Sequence, residues 1–184
     1  MRRVTRRELI AGAIAPVLAS CSRPRRAHDR SSITVLYPVG EMAFGPDGWP
    51  AIFLVFMRLL AWNRRGELEG RLAESWEHSP DFRTWTVRLR DGIRWHDGAP
   101  VTAHDVKFTL DLLQNPDTLL AMSNYVVKVL DDRTYSIAYD RQNVFDDGVL
   151  DDSFCCWPKH LLEKLDPKQI QTWDFWKRPV GCGP

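Results

Sequence analysis

The sequence lacks the motifs of several common catalytic and nucleotide-binding classes. It contains no G-x-x-x-x-G-K-[ST], G-x-G-x-x-G, H-E-x-x-H or G-x-S-x-G pattern, so no motif predicts a phosphate-binding loop, a dinucleotide fold, a helical zinc site or a nucleophile elbow. Its formal net charge is only +1 over 184 residues, which argues against a nucleic-acid-binding surface. No internal repeat is present, and the length fits one domain of ordinary size.

A membrane-spanning run is missing at the N-terminus. Residues 9–18 are weakly apolar, but a spanning helix needs about 20 apolar residues. Four arginines precede this run, and the small residues Ala19 and Ser20 follow it. The pattern predicts that residues 1–20 are a secretory signal peptide. Residues 5–10 also resemble a twin-arginine export motif.

The next residues predict a lipid anchor. Residues 18–21, Leu-Ala-Ser-Cys, resemble a bacterial lipobox, in which the cysteine receives the lipid, so we expect Cys21 to be the attachment site. The alternative is a plain signal peptide with a chance cysteine. Residues 21–32 are polar and aperiodic, which predicts a tether. Residues 22–30 carry a net charge of +3, whereas the remainder from residue 31 onward is net −5.

Cysteine is scarce, and only three cysteines remain if Cys21 is acylated: Cys155, Cys156 and Cys182. An odd number is unusual for an exported protein. Adjacent cysteines form a strained bridge poorly, so the options are a bridge from one of them to Cys182, or buried thiols. A Cys155/His160 nucleophile–base pair has no supporting motif.

Hydrophobic patterning predicts an alternation of helices and strands in the body of the chain. Residues 33–37 and 72–79 are short strand candidates, and the apolar run 51–62 predicts a buried helix. Period-two alternation at residues 84–89 predicts a strand, after which Asp91 and Gly92 turn the chain and residues 93–95 run back. Further candidates are a helix that begins after Thr102 and ends at Asn115-Pro116, a hairpin at 125–140 with its bend at Asp131-Asp132, and a helix at 158–165.

Two His-Asp pairs are the main chemical candidates: His96-Asp97 and His104-Asp105. As metal ligands they would need to converge with a third or fourth ligand. Asp97 precedes a glycine, which is ordinary turn chemistry. Thr102 and Asp105 have the spacing of a capping box. Both pairs are therefore interpreted as scaffold. The carboxylates of residues 146–152 are interpreted as a solvated acidic loop.

These strand, turn and helix patterns occur together, in the same order, in one protein family. Residues 72–113 closely resemble the N-terminal signature of the family 5 extracellular solute-binding proteins, the peptide- and nickel-type receptors of ABC importers. The similarity extends from about residue 33 to residue 184, with Cys182 where the family usually has threonine. The residues that carry it are Ala73-Glu74-Ser75-Trp76, Asp81, Trp85 to Leu89, Arg90, Gly92, Trp95, His96-Asp97-Gly98, Pro100 to Ala103, Asp105-Val106, the segment Pro158-Lys159-His160-Leu161 and Pro179 to Pro184.

The resemblance implies an α/β fold of the periplasmic-binding-protein type, a class II clamshell in which two lobes enclose the ligand. Residues 33–184 would form the N-terminal part of the solute-binding domain, with a mixed sheet and a small α+β subdomain that carries the signature. The implied function is capture of peptides or other extended solutes for an ABC permease and its ATPase, with no catalytic residue, no cofactor and no nucleic acid. The alternative is a fragment that is not competent to bind.

The loop at residues 40–49 is the best candidate for ligand contact. Glu41 could meet the positive terminus of a peptide, and Phe44 and Trp49 could form apolar walls; an ordered loop that covers the core is the alternative. A second hypothesis draws on the nickel-type branch of the family and makes the protein a metal or metallophore binder through His96, Asp97 and His104.

Overall fold

The computed structural model describes residues 52–118, 124–143, 150 and 154–183. The predicted signal peptide, tether and first strand, the loop at 40–49 and most of the acidic loop at 146–152 lie outside these residues. Within the described ranges, no helix is both long enough and apolar enough to cross a membrane.

The described residues form two antiparallel sheets with helices around them. A hairpin of β1 and β2 forms one sheet, and the other has the strand order β3-β4-β6-β5. The elements in chain order are α1 (Ile52–Val55), β1 (Leu60–Trp62), β2 (Leu68–Gly70), β3 (Ala73–His78), β4 (Thr84–Leu89), α2 (Ala103–Gln114), a 3₁₀ turn (Pro116–Thr118), β5 (Tyr125–Asp131), β6 (Thr134–Tyr139), α3 (Lys159–Leu162) and two further 3₁₀ segments (Pro167–Thr172 and Asp174–Lys177).

Strand β4 lies inside the four-stranded sheet and confirms the predicted period of two. Trp85, Val87 and Leu89 are buried, whereas Thr84 and Arg88 are exposed. The strand pairs with β3 on one edge and with β6 on the other. Burial of alternate aromatic and branched side chains places this strand at the core of the domain.

Helix α2 covers this core, as its sequence predicts. Ala103, Val106 and Leu110 are fully buried, and the helix packs against β5 and β6. Two hydrogen bonds fix its C-terminal half: Gln114 Nε2 donates to the Tyr125 carbonyl at 2.8 Å, and the Tyr125 hydroxyl donates to the Leu110 carbonyl at 3.1 Å. The helix ends at Asn115, where the Asn-Pro pair predicts its end.

The predicted helix over residues 51–62 is wrong beyond Val55. The chain leaves the helix, and residues 60–62 form β1. The backbone of Leu59 explains the change, because its N–H donates to the Phe154 carbonyl at 2.9 Å and its own carbonyl accepts from Ala73 at 3.1 Å. These long-range bonds replace helical ones. An all-apolar run is compatible with either outcome, since both bury it.

The predicted return of residues 93–95 along β4 is also wrong. Gly92 does turn the chain with φ +74°, but the edge of β4 that faces away from β3 is occupied by β6. Arg94 instead forms an isolated bridge with Pro100. A distant strand therefore takes the place that the local pattern assigns to the next segment.

The other predicted strands and helices that fall on described residues are confirmed. The strand at 72–79 is β3, and the hairpin at 125–140 consists of β5 and β6. At its bend, Asp131 Oδ1 accepts from the Arg133 N–H at 2.8 Å. The helix at 158–165 forms as the shorter α3, which follows Pro158.

Candidate functional site

The residues predicted to contact ligand, Glu41, Phe44 and Trp49, lie outside the described part of the chain, as does Cys21. They stay predictions. The structure does describe both His-Asp pairs and the three remaining cysteines, and it shows what each of them contacts.

The His96-Asp97 pair holds two later segments of the chain. The His96 N–H donates to the Gly181 carbonyl at 2.8 Å, and His96 Nε2 lies 3.1 Å from the Gly183 carbonyl. Asp97 Oδ1 accepts from the Ala99 N–H at 3.1 Å, and Asp97 Oδ2 lies 2.7 Å from His160 Nε2. The hydrogen bond with His160 lowers the pKa of Asp97. Asp97 is thus a turn residue, as predicted, and also an anchor for α3.

Asp105 is buried, and its carboxylate is used by the surrounding backbone. Only 4% of the residue is exposed. Its Oδ2 accepts from the Thr102 N–H at 2.8 Å and from the Thr102 hydroxyl at 3.0 Å, which confirms the predicted capping box. Its Oδ1 accepts from the Lys159 N–H at 2.9 Å. One carboxylate therefore begins α2 and also holds the start of α3.

A hydroxyl next to Asp105 extends this connection. The Thr109 hydroxyl donates to the Asp105 carbonyl at 2.9 Å and accepts from the Trp157 N–H at 2.8 Å. Thr109 is fully buried. Since buried polar groups require partners, this chain of bonds fixes residues 157–159 against α2.

The described residues do not bring the His-Asp pairs together as a metal site. His104 Nε2 lies 3.8 Å from Asp132, whereas His96 and Asp97 face the partners given above. Among the described residues, no group of three or more His, Cys, Asp and Glu side chains could hold a metal ion. The interpretation of these pairs as scaffold is therefore favoured.

Sequence reasoning missed the partners of the first pair. His160 lies 63 residues after Asp97, and no local pattern connects them. The glycines at 181 and 183 carry a weak indication, because glycine often marks a close approach of two backbones. A Cβ at Gly181 would lie 1.9 Å from the Val55 carbonyl oxygen. The sequence could indicate close contact there, but not the segment it involves.

The three described cysteines are buried and free. Burial raises the pKa of the Cys155 thiol to about 12, which opposes the thiolate that a nucleophile needs. His160 turns its Nε2 toward Asp97 at 2.7 Å. Both findings weigh against a Cys155/His160 catalytic pair.

Comparison with known proteins identifies the family. Residues 67–184 match the family model described as "Bacterial extracellular solute-binding proteins, family 5 Middle". The chain belongs to this family. The resemblance of the signature segment is thereby confirmed, and the relatives are solute-binding proteins rather than enzymes.

Individual family 5 relatives agree with this assignment. The periplasmic oligopeptide-binding protein OppA of Haemophilus influenzae is 43% identical over 68 residues, which are 37% of this chain and 13% of OppA. A Brucella ovis protein named as an ABC transporter peptide-binding protein is 32% identical over 123 residues, which are 62% of this chain and 23% of that protein.

A solved structure of a family 5 protein confirms the fold. NikZ from Campylobacter jejuni, solved in complex with Ni(L-His), matches 78% of this chain with a TM-score of 0.65 and 29% identity. The predicted α/β fold of the periplasmic-binding-protein type is confirmed. The chain covers 29% of NikZ, so it spans less than a third of the length of each of these three proteins.

Proposed function

We propose that this family 5 chain belongs to the substrate-binding component of an ABC importer, which captures oligopeptides or similar extended solutes and delivers them to a membrane permease and its ATPase. The observation that carries the proposal is the family match over residues 67–184, together with relatives named as peptide-binding proteins. The described site adds support, because the His-Asp pairs make structural contacts instead of forming a reactive centre.

Peptide capture would depend on the loop at residues 40–49. Glu41 would receive the positive terminus of the peptide, and Phe44 and Trp49 would form apolar walls around its side chains. Hydrogen bonds to the main chain of the peptide would supply affinity that does not depend on the peptide's sequence. Closure of two lobes around the ligand would then report the loaded state to the permease.

The same proposal places the protein in the periplasm, attached to a membrane. OppA of Haemophilus influenzae is named as periplasmic, and residues 1–20 have the pattern of an export signal. Acylated Cys21 would hold the protein at the membrane, and the polar residues 21–32 would let the binding domain reach the permease. The arginines of this tether would favour anionic headgroups.

Calorimetric titration of the full-length protein tests the proposal. A defined peptide library is titrated beside nickel and a set of sugars, and binding of peptides but not of sugars is expected. Glu41→Gln should weaken peptide binding about tenfold or more, since a hydrogen bond to a charged group contributes about 1.5–3 kcal/mol. Glu77→Gln is the matched control, because Glu77 is exposed on β3 and should leave affinity unchanged. Absence of any peptide binding would refute the proposal.

A second candidate is a binder of nickel or a metallophore, which the similarity to NikZ with Ni(L-His) favours. Metal analysis of the purified protein and the nickel arm of the titration distinguish it from peptide capture. Because His96 and His104 face Gly183 and Asp132, we expect a His96→Ala/His104→Ala variant to retain any bound metal. Loss of metal in that variant would instead assign the site to these residues.

A further inference from the structure

The hairpin of β1 and β2 carries an exposed apolar patch next to its turn. Leu60 and Ala61 of β1 are buried, whereas the next residue, Trp62, is 50% exposed. Trp62 pairs with Leu68 of β2, and Leu68 is only half-buried. Because residues that pair across two strands share a face of the sheet, these two side chains form one patch.

The turn that joins β1 to β2 is held in one conformation by Asn63. The Asn63 carbonyl accepts from the Gly66 N–H at 3.0 Å, and the Asn63 N–H donates to the Glu67 carbonyl at 2.9 Å. Asn63 Oδ1 accepts from the N–H groups of Arg65 and Glu67 at 2.8 and 3.0 Å. Gly66 has φ +75°, a conformation that glycine adopts without strain. Arg64 and Arg65 are thereby fixed at the apex of the hairpin.

The side chains of these two arginines are exposed. In the described ranges, no ion pair or hydrogen bond engages either guanidinium group. The nearby glutamates are turned elsewhere, because Asn63 Nδ2 donates to the carboxylates of Glu67 and Glu69, each at 2.9 Å. Since strand side chains alternate between faces, these glutamates lie on the face opposite Trp62. The apex is therefore cationic, and neither carboxylate lies within the apolar patch.

We propose that the hairpin tip, formed by Trp62, Arg64, Arg65 and Leu68, contacts the anionic phospholipid surface of the membrane to which the chain is attached. A tryptophan ring suits the boundary between headgroups and acyl chains, because it has an apolar body and a polar N–H. Guanidinium groups bind phosphate oxygens through paired hydrogen bonds. This proposal depends on the membrane attachment that is part of the proposed function.

Attachment favours a lipid surface over an acidic protein surface as the partner of the hairpin tip. The predicted tether of residues 21–32 spans at most about 40 Å when fully extended, so the bilayer would always lie near the domain. Tethering of this kind raises the effective concentration of the second contact, which can then be weak. Residues 22–30 carry a net charge of +3, so the tether and the tip favour headgroups of the same sign.

The contact would restrict how the domain is oriented on the membrane. A flexible tether alone leaves the domain free to rotate, whereas a second contact on a rigid turn limits that rotation. Because Asn63 already fixes the turn, its backbone loses little conformational freedom when the tip binds. The tip would thereby hold the domain in a limited set of orientations toward the permease.

Quenching of tryptophan fluorescence by brominated lipids tests the contact. Full-length protein is reconstituted into vesicles of brominated phosphatidylcholine mixed with phosphatidylglycerol, and into vesicles of brominated phosphatidylcholine alone. The protein has eight tryptophans, so the contribution of Trp62 is the difference between the wild type and Trp62→Phe. In the anionic vesicles the wild type should lose more fluorescence than Trp62→Phe. Trp76→Phe is the control, because Trp76 is half-buried on β3, and it should lose as much fluorescence as the wild type.

Charge variants test the two arginines in the same vesicles. Arg64→Gln/Arg65→Gln should lose most of the quenching of Trp62, because each basic residue near an anionic surface contributes about fivefold in affinity. Arg83→Gln/Arg178→Gln is the matched control: it removes the same charge from two other exposed positions and should keep the quenching of the wild type. High salt and vesicles without phosphatidylglycerol should both reduce the quenching of Trp62.

Two results would overturn the proposal. One is equal loss of fluorescence by the wild type and Trp62→Phe in the anionic vesicles, after which an acidic protein surface would be the better partner for the tip. The other is an equal loss of quenching in both double arginine variants, because the effect would then follow the net charge of the protein. Circular dichroism checks that each variant is folded.

Failure of the proposed function would be seen in different measurements. Cell fractionation tests the membrane attachment, and the calorimetric titration tests peptide capture. Protein that is found in the soluble fraction, or that binds no peptide, is mixed with the same vesicles, and the same comparison of the wild type with Trp62→Phe and the arginine variants decides whether the hairpin tip contacts lipid.

Discussion

Individual residues of the signature segment form hydrogen bonds both to neighbours in the sequence and to residues far along the chain, and the sequence predicts only the first kind. The spacing of Thr102 and Asp105 predicts a capping box, and that box forms. The second oxygen of Asp105 accepts from Lys159, 54 positions later, and no periodicity connects those positions. Local partners follow from spacing, but long-range partners depend on how the whole domain folds. Asp97 shows the same division between its turn and His160.

Asp105→Ala should strongly destabilise the fold. The substitution leaves the N–H groups of Thr102 and Lys159 without their acceptor in a part-buried place, and each unsatisfied donor costs about 1–3 kcal/mol. We expect a loss of about 3 kcal/mol in the free energy of unfolding by urea titration. Asp111→Ala on the same helix is the control, because its exposed pair with Lys107 contributes about 0.5 kcal/mol. Equal losses in the two variants would contradict this account.

Asp97→Asn should show a weaker effect that depends on pH. The hydrogen bond with His160 lowers the pKa of Asp97 below its ordinary value of 3.8. A carboxyl with a lowered pKa in the folded state stabilises the fold above the unfolded-state pKa, and this contribution is lost as pH falls through the folded-state pKa. The pair is about one-third exposed, so it contributes at most about 1 kcal/mol.

Urea unfolding of the wild type and Asp97→Asn between about pH 6 and pH 3 measures this dependence. The difference between the two proteins should be constant above the ordinary pKa of 3.8 and should shrink below it. Asp132→Asn is the matched control, because Asp132 is 86% exposed and 3.8 Å from His104. If the difference in unfolding free energy between the two proteins instead grew toward low pH, the pKa of Asp97 would be raised in the folded state and not lowered.

At the scale of elements, prediction succeeds where a pattern has only one satisfactory outcome. Helix α2 has an apolar face, a capping box at its start and an Asn-Pro pair at its end, and all three features predict the same helix. The run at residues 51–62 is apolar on every side, so it fits a helix or a strand equally well, and the hydrogen bonds of Leu59 decide between them. The prediction that residues 93–95 pair with β4 fails for another reason, because β6 occupies that edge of β4.

Gly181→Ala should detach the segment at residues 180–183 from the chain that follows α1. The added methyl group would lie 1.9 Å from the Val55 carbonyl oxygen, and that backbone is not free to move. Overpacking of this kind costs about 1–3 kcal/mol. Hydrogen exchange should show loss of protection at the amides of His96 and Gly183, whose bonds hold the segment.

Gly66→Ala is the control for this prediction. A Cβ at Gly66 meets nothing within 4 Å, although its φ of +75° makes the substitution strained. Gly66→Ala should therefore lower stability by about 1–2 kcal/mol and leave the protection of the His96 and Gly183 amides intact. Unchanged protection of these amides in Gly181→Ala would contradict the close packing seen here.

For the molecule as a whole, the sequence predicts the family better than it predicts the ligand site. The signature can be identified because turns, caps and core positions impose residue types at fixed spacings. Recognition of an extended ligand through main-chain groups and aromatic walls imposes few residue types. Glu41, Phe44 and Trp49 are accordingly proposed from their place in a loop, and their roles depend on the titration described above.

The proposed acylation of Cys21 would attach the whole molecule to the membrane, and Cys21→Ser should abolish that attachment. The buried carbons of acyl chains contribute about 0.8 kcal/mol each, so removing the attachment site removes nearly all affinity for the bilayer. The variant should move from the membrane fraction to the soluble periplasmic fraction, as measured by fractionation and immunoblotting, with the peptide affinity of the wild type. Cys155→Ser is the control, because Cys155 is buried in the domain and its loss should leave the protein at the membrane. A Cys21→Ser protein that stays in the membrane fraction would mean that residues 1–20 remain attached and anchor the chain themselves.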